Sequence, residues 1–206
     1  MRHACTLLLM LTVWPAMAAE KDTAAALFDG KSFAGWEGNL KHFRIEQGAI
    51  VAGSLKGKVP RNEFLCTKRR YGDFELRLKV KLVGKGDNAG IQFRSERIPN
   101  HHEVKGYQAD MGGMWWGKLY DESRRRRVLA GVIDAAKLKA VLKIGDWNEY
   151  VIRCQGSRIQ FWVNGVQTVD YTEQEKDIPR RGIIGLQIHG GAPSQASYKE
   201  IRIKEL

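Results

Sequence analysis

Apolar and polar residues alternate along much of the chain with a period of two, the pattern of β-strands. From residue 74 to residue 82 every even position is apolar and every odd position is charged. This segment predicts a strand with one face in the core and the other in water. Asn164-Gly165 and Gln47-Gly48 each separate two short alternating runs and predict β-hairpins. Asn-Gly is the stronger signal, because both of its residues accept positive φ angles.

Helical periodicity is scarce. The best candidate covers residues 134–142, where Asp134 is placed to cap the first turn. Residues 182–189 and 198–204 predict two closing strands, whereas residues 112–131 show no clear period and predict a long loop. A chain of 206 residues, 43% hydrophobic and 28% charged, suits one globular domain. Many short strands separated by turns predict an all-β sandwich or jelly roll with one short helix.

Residues 1–18 predict a secretory signal peptide. A basic start precedes an apolar run over residues 5–14, far shorter than the roughly 20 residues of a membrane span. Small residues then precede a cleavage position near Ala18. We therefore expect residues 19–206 to form a single secreted or periplasmic domain with no membrane partner. In an oxidising compartment Cys66 and Cys154 form either a disulfide or two buried free thiols.

The basic charge does not by itself indicate a nucleic-acid partner. The formal net charge is +11, and residues 124–127 are a run of arginines. Such a run is typical of a solvated surface or of salt bridges. No nucleic-acid-binding motif accompanies it, and a secreted protein seldom meets nucleic acid. An adaptor that binds polyanions is the function that this charge leaves open.

Three predicted strands carry hydrogen-bonding side chains on the face opposite the core. Ile91 and Phe93 point inward, so the polar residues between and beyond them point outward. By the same alternation, the outer-face residues of the three strands are Gln92, Arg94, Glu96, Gln108, Asp110, Gln187 and His189. If the strands are neighbours, this face is a polar groove. The predicted loop above it carries Trp115, Trp116, Tyr120, Asp121 and Glu122.

This combination of side chains suits a carbohydrate. Amides, carboxylates and arginine hydrogen-bond to hydroxyl groups, and a tryptophan ring packs against the apolar face of a pyranose. The competing interpretation is a solvated sheet face with tryptophans packed inside the loop. Exposed strand faces usually carry simple charged residues, as residues 75–81 do. We therefore favour a binding groove for the set as a whole.

Other chemistry is less well supported by the sequence. His101-His102-Glu103 is a weak metal-site candidate, because adjacent residues point apart on a strand and the segment predicts an exposed loop. The chain contains no Gly-x-Ser-x-Gly motif, which disfavours a serine hydrolase.

Several motifs, in order, resemble those of the 3-keto-disaccharide hydrolase domain family. They include Leu27-Phe28-Asp29-Gly30-Lys31, Gly35-Trp36, Asn88-Ala89-Gly90-Ile91-Gln92-Phe93-Arg94-Ser95, Gly106-Tyr107-Gln108-Ala109-Asp110 and Gly185-Leu186-Gln187-Ile188-His189-Gly190-Gly191. Each motif alone is weak, but the ordered set is specific and covers nearly the whole chain after residue 18. The resemblance implies a concanavalin A-like jelly-roll β-sandwich of two antiparallel sheets. It also implies activity on glycosides already oxidised to a ketone at sugar C3.

A ketone at C3 acidifies the hydrogen on C2, so that a base can remove it and the enolate can expel the C1 substituent. Such a site needs a base, a partner for the enolate oxygen and an acid for the leaving group. By residue type and face, we expect Asp110 or His189 as base, Arg94 as the enolate partner and Glu122 as acid. A divalent metal on Asp110, Glu122 or His189 is an alternative electrophile, although no metal site is firmly predicted.

Two further alternatives stay open. Asp110 and Glu122 are also a carboxylate pair for direct glycoside hydrolysis. The same groove without catalysis would make the chain a lectin-like carbohydrate-binding module. The sequence gives no indication of the aglycone, the anomer or the oligomeric state.

Overall fold

Two antiparallel β-sheets packed face to face account for most of residues 24–206, the part of the chain that the computed structural model describes. The strands are β1 (Ala25–Ala26), β2 (Trp36–Glu37), β3 (Phe43–Glu46), β4 (Ala49–Ser54), β5 (Glu63–Thr67), β6 (Phe74–Gly84), β7 (Ala89–Arg97), β8 (Val104–Met111), β9 (Leu119–Glu122), β10 (Val128–Ala130), β11 (Asn148–Gln155), β12 (Arg158–Val163), β13 (Val166–Thr172), β14 (Ile183–Ile188) and β15 (Ser194–Glu205). The helices are α1 (Ala135–Val141) and a 3-10 turn (Gly113–Trp115).

Each strand belongs to one of two sheets, which we call the front sheet and the back sheet. The front sheet has the order β10-β9-β8-β7-β14-β5-β2. The back sheet has the order β13-β12-β11-β6-β15-β4-β3, with β1 paired to β15. This arrangement confirms the predicted all-β sandwich of two antiparallel sheets with one short α-helix.

The core lies between the sheets and is filled by the inward residues of each strand. The even-numbered residues of β6 from Phe74 to Leu82 are buried, as the alternation predicted. Aromatic rings close the space between the sheets. Phe93 on the front sheet packs edge to face against Phe161 on the back sheet, with ring centroids 5.5 Å apart. This contact packs the front sheet against the back sheet beneath the outer face of the front sheet.

Local predictions about turns and the helix are also confirmed. Asn164 and Gly165 have φ angles of 48° and 81° between β12 and β13, and Gln47 and Gly48 turn between β3 and β4 with φ angles of 49° and 73°. Asp134 caps α1, because its side chain accepts a hydrogen bond from the Lys137 amide at 2.9 Å.

One expectation is corrected, and one alternative that the sequence left open is decided. Residues 112–131 are not one loop, because they contain the 3-10 turn and the strands β9 and β10 at the edge of the front sheet. The strands are short and a tight turn separates them, which hides their periodicity. Cys66 and Cys154 are free buried thiols. Cys66 lies with Phe64 on the outer side of the front sheet and Cys154 lies in the main core, so they face different layers.

The predicted signal peptide lies outside the described residues. Within residues 24–206 no helix is long and apolar enough to cross a membrane.

Candidate functional site

The polar side chains predicted on three strands come together on the outer face of the front sheet. Strands β9, β8, β7 and β14 are consecutive neighbours, and their register places the residues in rows. Gly90 lies opposite both Asp110 and Gln187. One step along, Gln108 lies opposite both Gln92 and Tyr120.

A cavity of about 160 Å³ opens above these rows. Its lining residues are Asn62, Asn88, Gln108, Asp110, Trp115, Tyr120, Glu122 and His189. The structure therefore brings the three residues predicted to carry catalysis, Asp110, Glu122 and His189, into one small cavity.

The floor of the cavity is a chain of hydrogen bonds between buried amides. Gln92 Nε2 donates to Gln108 Oε1 at 2.7 Å, and Gln108 Nε2 donates to Asp110 Oδ1 at 2.6 Å. Ser95 Oγ supports the far end by donating to Gln92 Oε1 at 2.7 Å. A Cβ atom on Gly90 would lie 2.6 Å from the Gln108 side chain, so only glycine leaves room for this network.

Asp110 is the most deeply buried acid of the cavity, with 1% of its surface exposed. Burial raises the pKa of its carboxyl to about 8; the nearby Glu122 charge adds to this, whereas the hydrogen bond from Gln108 opposes it. The Asp110 backbone is fixed, because its carbonyl oxygen accepts a hydrogen bond from the Tyr150 hydroxyl at 2.6 Å. At neutral pH this carboxyl group is mostly protonated and able to donate a hydrogen bond.

Glu122 is less buried than Asp110, but the pKa of its carboxyl group is also raised. Burial and then the negative charge of Glu103 raise the pKa of the Glu122 carboxyl to about 7. Its Oε2 atom lies 3.5 Å from Gln187 Nε2. A carboxyl that titrates near neutral pH is suited to donate a proton in a reaction.

His189 lines the same cavity. Its Nδ1 atom lies 2.7 Å from the Gly190 carbonyl oxygen, which can only accept a hydrogen bond. Nδ1 therefore carries the proton of the neutral ring and leaves Nε2 with a free lone pair. Asn62 holds this segment in place by accepting the Gly190 amide at Oδ1, 2.9 Å away.

Two buried amide oxygens beside the cavity have no protein partner within the described part of the chain. They are Gln187 Oε1 and Asn88 Oδ1. A buried acceptor without a donor is costly, so Asn88 Oδ1, which belongs to a lining residue, is suited to a ligand that supplies O–H groups. Sequence reasoning missed Asn62 and Asn88 as lining residues. Of these two residues, only Asn88 could have been found from the sequence, because it begins one of the motifs that resemble the family.

An aromatic wall completes the cavity. Trp115 packs edge to face against Tyr120, with ring centroids 6.2 Å apart. The Lys118 ammonium lies 5.5 Å from the centroid of the Trp115 ring. Trp115 is thus held beside the polar groups at a position where a sugar ring could pack against aromatic carbon.

The motifs and the arrangement of this cavity agree with a family assignment. Residues 23–204 match the model of the 3-keto-alpha-glucoside-1,2-lyase-like domain. The chain belongs to this family. No curated protein matches the chain.

Solved structures similar to this family member share its architecture. A candidate glycosyl hydrolase from Parabacteroides distasonis ATCC 8503 is 18% identical with a TM-score of 0.65, covering 89% of this chain and 94% of that one. A carbohydrate-binding module from Bacillus subtilis is 12% identical with a TM-score of 0.58, covering 83% and 96%. The β-glucanase of Bacillus licheniformis is 10% identical with a TM-score of 0.54, covering 91% and 100%. These likenesses confirm the jelly-roll fold.

Arg94 was predicted on the outer face of the 3-keto-glucoside lyase-like domain, and this placement is wrong. A bulge in β7 between Phe93 and Glu96 breaks the alternation, and Arg94 has a φ angle of 45°. Its buried guanidinium donates to the carbonyl oxygens of Gly72 and Gly156 at 2.9 and 2.8 Å. It also pairs with Asp73 at 2.6 Å. Arg94 therefore joins neighbouring turns and does not line the cavity.

Two other predicted binding residues also lie away from the cavity. Glu96 follows the same bulge and pairs with Arg70 at 2.9 Å and Lys105 at 3.5 Å. Trp116 is buried and stacks on Tyr150 in the core, with ring centroids 6.4 Å apart. Gln92 and Gln187 are on the predicted face, where they support Gln108 and Glu122 without lining the cavity themselves.

The structure arranges no acidic, histidine or cysteine cluster around a metal position in residues 24–206. His102 Nδ1 lies 3.0 Å from the backbone carbonyl oxygen of Asn62. The side-chain nitrogen of Asn62, Nδ2, donates a hydrogen bond to Glu103 Oε1 at 3.2 Å. These residues therefore connect the β7–β8 loop to the segment before β5.

The raised pKa of Asp110 predicts a pH-dependent stability difference. The pKa of Asp110 is about 8 in the fold and 3.8 ordinarily, so the fold favours the neutral carboxyl group. The resulting contribution to stability is complete at pH values below 3.8. This stabilisation is lost as pH rises through about 8. We expect Asp110→Asn to melt a few degrees above the unchanged protein at pH 9 and close to it at pH 4. Thermal unfolding followed by circular dichroism at both pH values measures this. An equal difference at both would show that Asp110 does not hold its proton in the fold.

Proposed function

We propose that the cavity binds a glycoside oxidised to a ketone at C3 and cleaves it by removing the C2 proton. The observation that carries this proposal is the meeting of two proton-holding carboxyl groups and one free imidazole nitrogen in a single small cavity. An acid, a base and a neutral hydrogen-bond donor are the three groups that this chemistry requires. The family assignment supports the same substrate class.

In the first step His189 Nε2 takes the proton from C2. The electrons of the C2–H bond form an enolate with the C3 carbonyl, whose oxygen becomes negative. Neutral Asp110 donates a hydrogen bond to that oxygen, in the role that Arg94 cannot fill from its position in the turns. Asp110 is suited to this role because its burial keeps it protonated near neutral pH.

In the second step the enolate electrons form a C1–C2 double bond and the bond from C1 to the leaving oxygen breaks. Glu122 gives its proton to that oxygen, so the aglycone leaves as an alcohol. The sugar remains as an enone. Addition of water, with OH at C1 and H at C2, converts the enone into the free 3-keto sugar and makes the overall reaction a hydrolysis.

The remaining polar groups are suited to hold the sugar. Asn88 Oδ1 lines the cavity and accepts a hydroxyl proton, which gives this buried atom the partner that it lacks. Trp115 and Tyr120 receive the apolar face of the ring. The hydrogen bonds from Gln92 to Gln108 and from Gln108 to Asp110 keep the side chains of Gln108 and Asp110 in position.

We further propose that the protein acts outside the cytoplasm, after removal of residues 1–18. A divalent cation at Asp110, Glu122 or His189 is the alternative source of enolate stabilisation, and a chelator distinguishes it from the neutral Asp110 carboxyl. The carbohydrate-binding module is the outcome if sugar binds and no bond breaks.

The mature protein is expected to release nitrophenol from a nitrophenyl 3-keto-glucoside and not from the matching unoxidised glucoside. The rate should fall as pH rises through about 7, because Glu122 then loses the proton that it gives to the leaving group. Absorbance of nitrophenolate in quenched samples measures the rate for both anomers, with and without chelator. In heavy water the recovered 3-keto sugar should carry deuterium at C2.

Release from both substrates alike would contradict C2 proton removal and favour the carboxylate-pair hydrolysis. Sugar binding without release from either anomer would leave a binding module. Loss of release in chelator, restored by added cation, would replace neutral Asp110 by a metal ion as the enolate partner.

A further inference from the structure

The back sheet carries a second cleft, on the opposite side of the sandwich from the candidate cavity. Across β6, β11 and β12 the register sets Arg77, Val151 and Trp162 side by side in one row. Phe161 and Val163, the neighbours of Trp162, are buried in the core, so Trp162 points outward. The cleft has a volume of about 280 Å³.

The floor of this cleft is apolar and its edge is open. Val151 is 8% exposed and Trp162 is half-buried, so an aromatic ring and an aliphatic side chain form a continuous floor. Gly165, in the hairpin turn beside them, has no atom within 4 Å of the position where a Cβ would lie. One end of the floor is therefore accessible to a ring-shaped ligand.

The rim of the cleft is charged but balanced. Arg77 Nε lies 2.9 Å from Glu75, and Arg77 Nη1 lies 3.4 Å from Glu149. Arg153 Nη1 lies 3.9 Å from the second oxygen of Glu75. Two acids face two arginines, so the rim presents many donors and acceptors without net charge. This arrangement favours a neutral, hydroxyl-rich ligand over a polyanion.

We propose that this cleft is a second carbohydrate-binding site, which receives a pyranose ring of a neutral glycan. The apolar face of the ring packs on Trp162, and its hydroxyls hydrogen-bond to Arg77 and Glu149 at the rim. The site would hold the protein on a polysaccharide. It does not depend on the reaction proposed for the cavity, because the two lie on different sheets.

Trp147, which immediately precedes β11, offers a matched control beside the same sheet. It is half-buried like Trp162, but the ammonium groups of Lys81 and Lys199 lie over its ring, 5.0 and 4.4 Å from the centroid. Its ring face is therefore already covered. Trp147→Ala also removes one tryptophan ring, without touching the proposed platform.

The test is affinity electrophoresis of the mature protein in gels containing dextran, laminarin or dextran sulfate. We expect retardation by at least one neutral glucan, weakened about tenfold or more in Trp162→Ala and unchanged in Trp147→Ala. Trp162→Phe should keep most of the binding, which separates loss of the platform from loss of the fold. Trp115→Ala should also keep it, which separates this cleft from the cavity.

Three results would overturn the proposal. One is the absence of retardation by either neutral glucan. Another is equal binding by Trp162→Ala and the unchanged protein. The third is retardation by dextran sulfate alone, which would indicate a polyanion surface.

Discussion

A His189→Gln variant is expected to release the aglycone of a 3-keto-glucoside about 10² to 10⁴ times more slowly than the unchanged protein. Glutamine has a similar reach and can donate a hydrogen bond, but it cannot accept a proton at neutral pH. The fold should be unaffected, because the His189 ring lines the cavity and its hydrogen bond goes to the adjacent Gly190 carbonyl. Nitrophenol release at substrate saturation measures the loss, and thermal unfolding verifies the fold.

Asp110→Asn is the informative companion to this variant. Asparagine reproduces the shape and the hydrogen-bond donor of a neutral aspartic acid, so release should fall far less than in His189→Gln. Asp110→Leu keeps the approximate volume and removes the donor, and should cost about 10² to 10³ in rate. The opposite order, with Asp110→Asn inactive and His189→Gln active, would show that Asp110 is the base.

Regular alternation predicted the outward residues of the cavity correctly wherever the strands were regular. Gln108, Asp110 and Gln187 lie on uninterrupted pairings, so a period of two was enough to give their direction. The prediction failed at Arg94 and Glu96, because the bulge in β7 adds a residue and reverses every position after it. Nothing in the local composition of this strand marks a bulge.

The other omissions have a different cause. Asn62 and Asn88 immediately precede β5 and β7, in segments where alternation gives no direction. Trp115 and Trp116 are adjacent in the sequence, but Trp115 lies in the wall of the cavity and Trp116 lies in the core. The 3-10 turn that ends at Trp115 depends on tertiary packing, so residue type and position alone could not distinguish the two tryptophans.

The correction at Arg94 leads to the largest expected effect on stability. Arg94→Met should lower the free energy of unfolding by about 2 kcal/mol, because two carbonyl oxygens in half-buried turns lose their donor and the half-exposed Asp73 carboxylate loses its buried partner. Those acceptors are the oxygens of Gly72 and Gly156, and Asp73 loses its 2.6 Å partner. Methionine fills much of the space, so lost polar partners and not a cavity should dominate the cost. Urea unfolding followed by tryptophan fluorescence measures the change.

The same variant separates a structural role from a catalytic one. At a temperature where Arg94→Met remains folded, nitrophenol release should stay close to that of the unchanged protein, because the guanidinium does not line the cavity. Arg97→Met is the matched control, since Arg97 pairs with Glu37 at the surface and its loss should change stability by less than about 1 kcal/mol. If Arg94→Met kept full stability and lost release instead, Arg94 would have to reach the enolate oxygen. The turns that it joins would then have to open during the reaction.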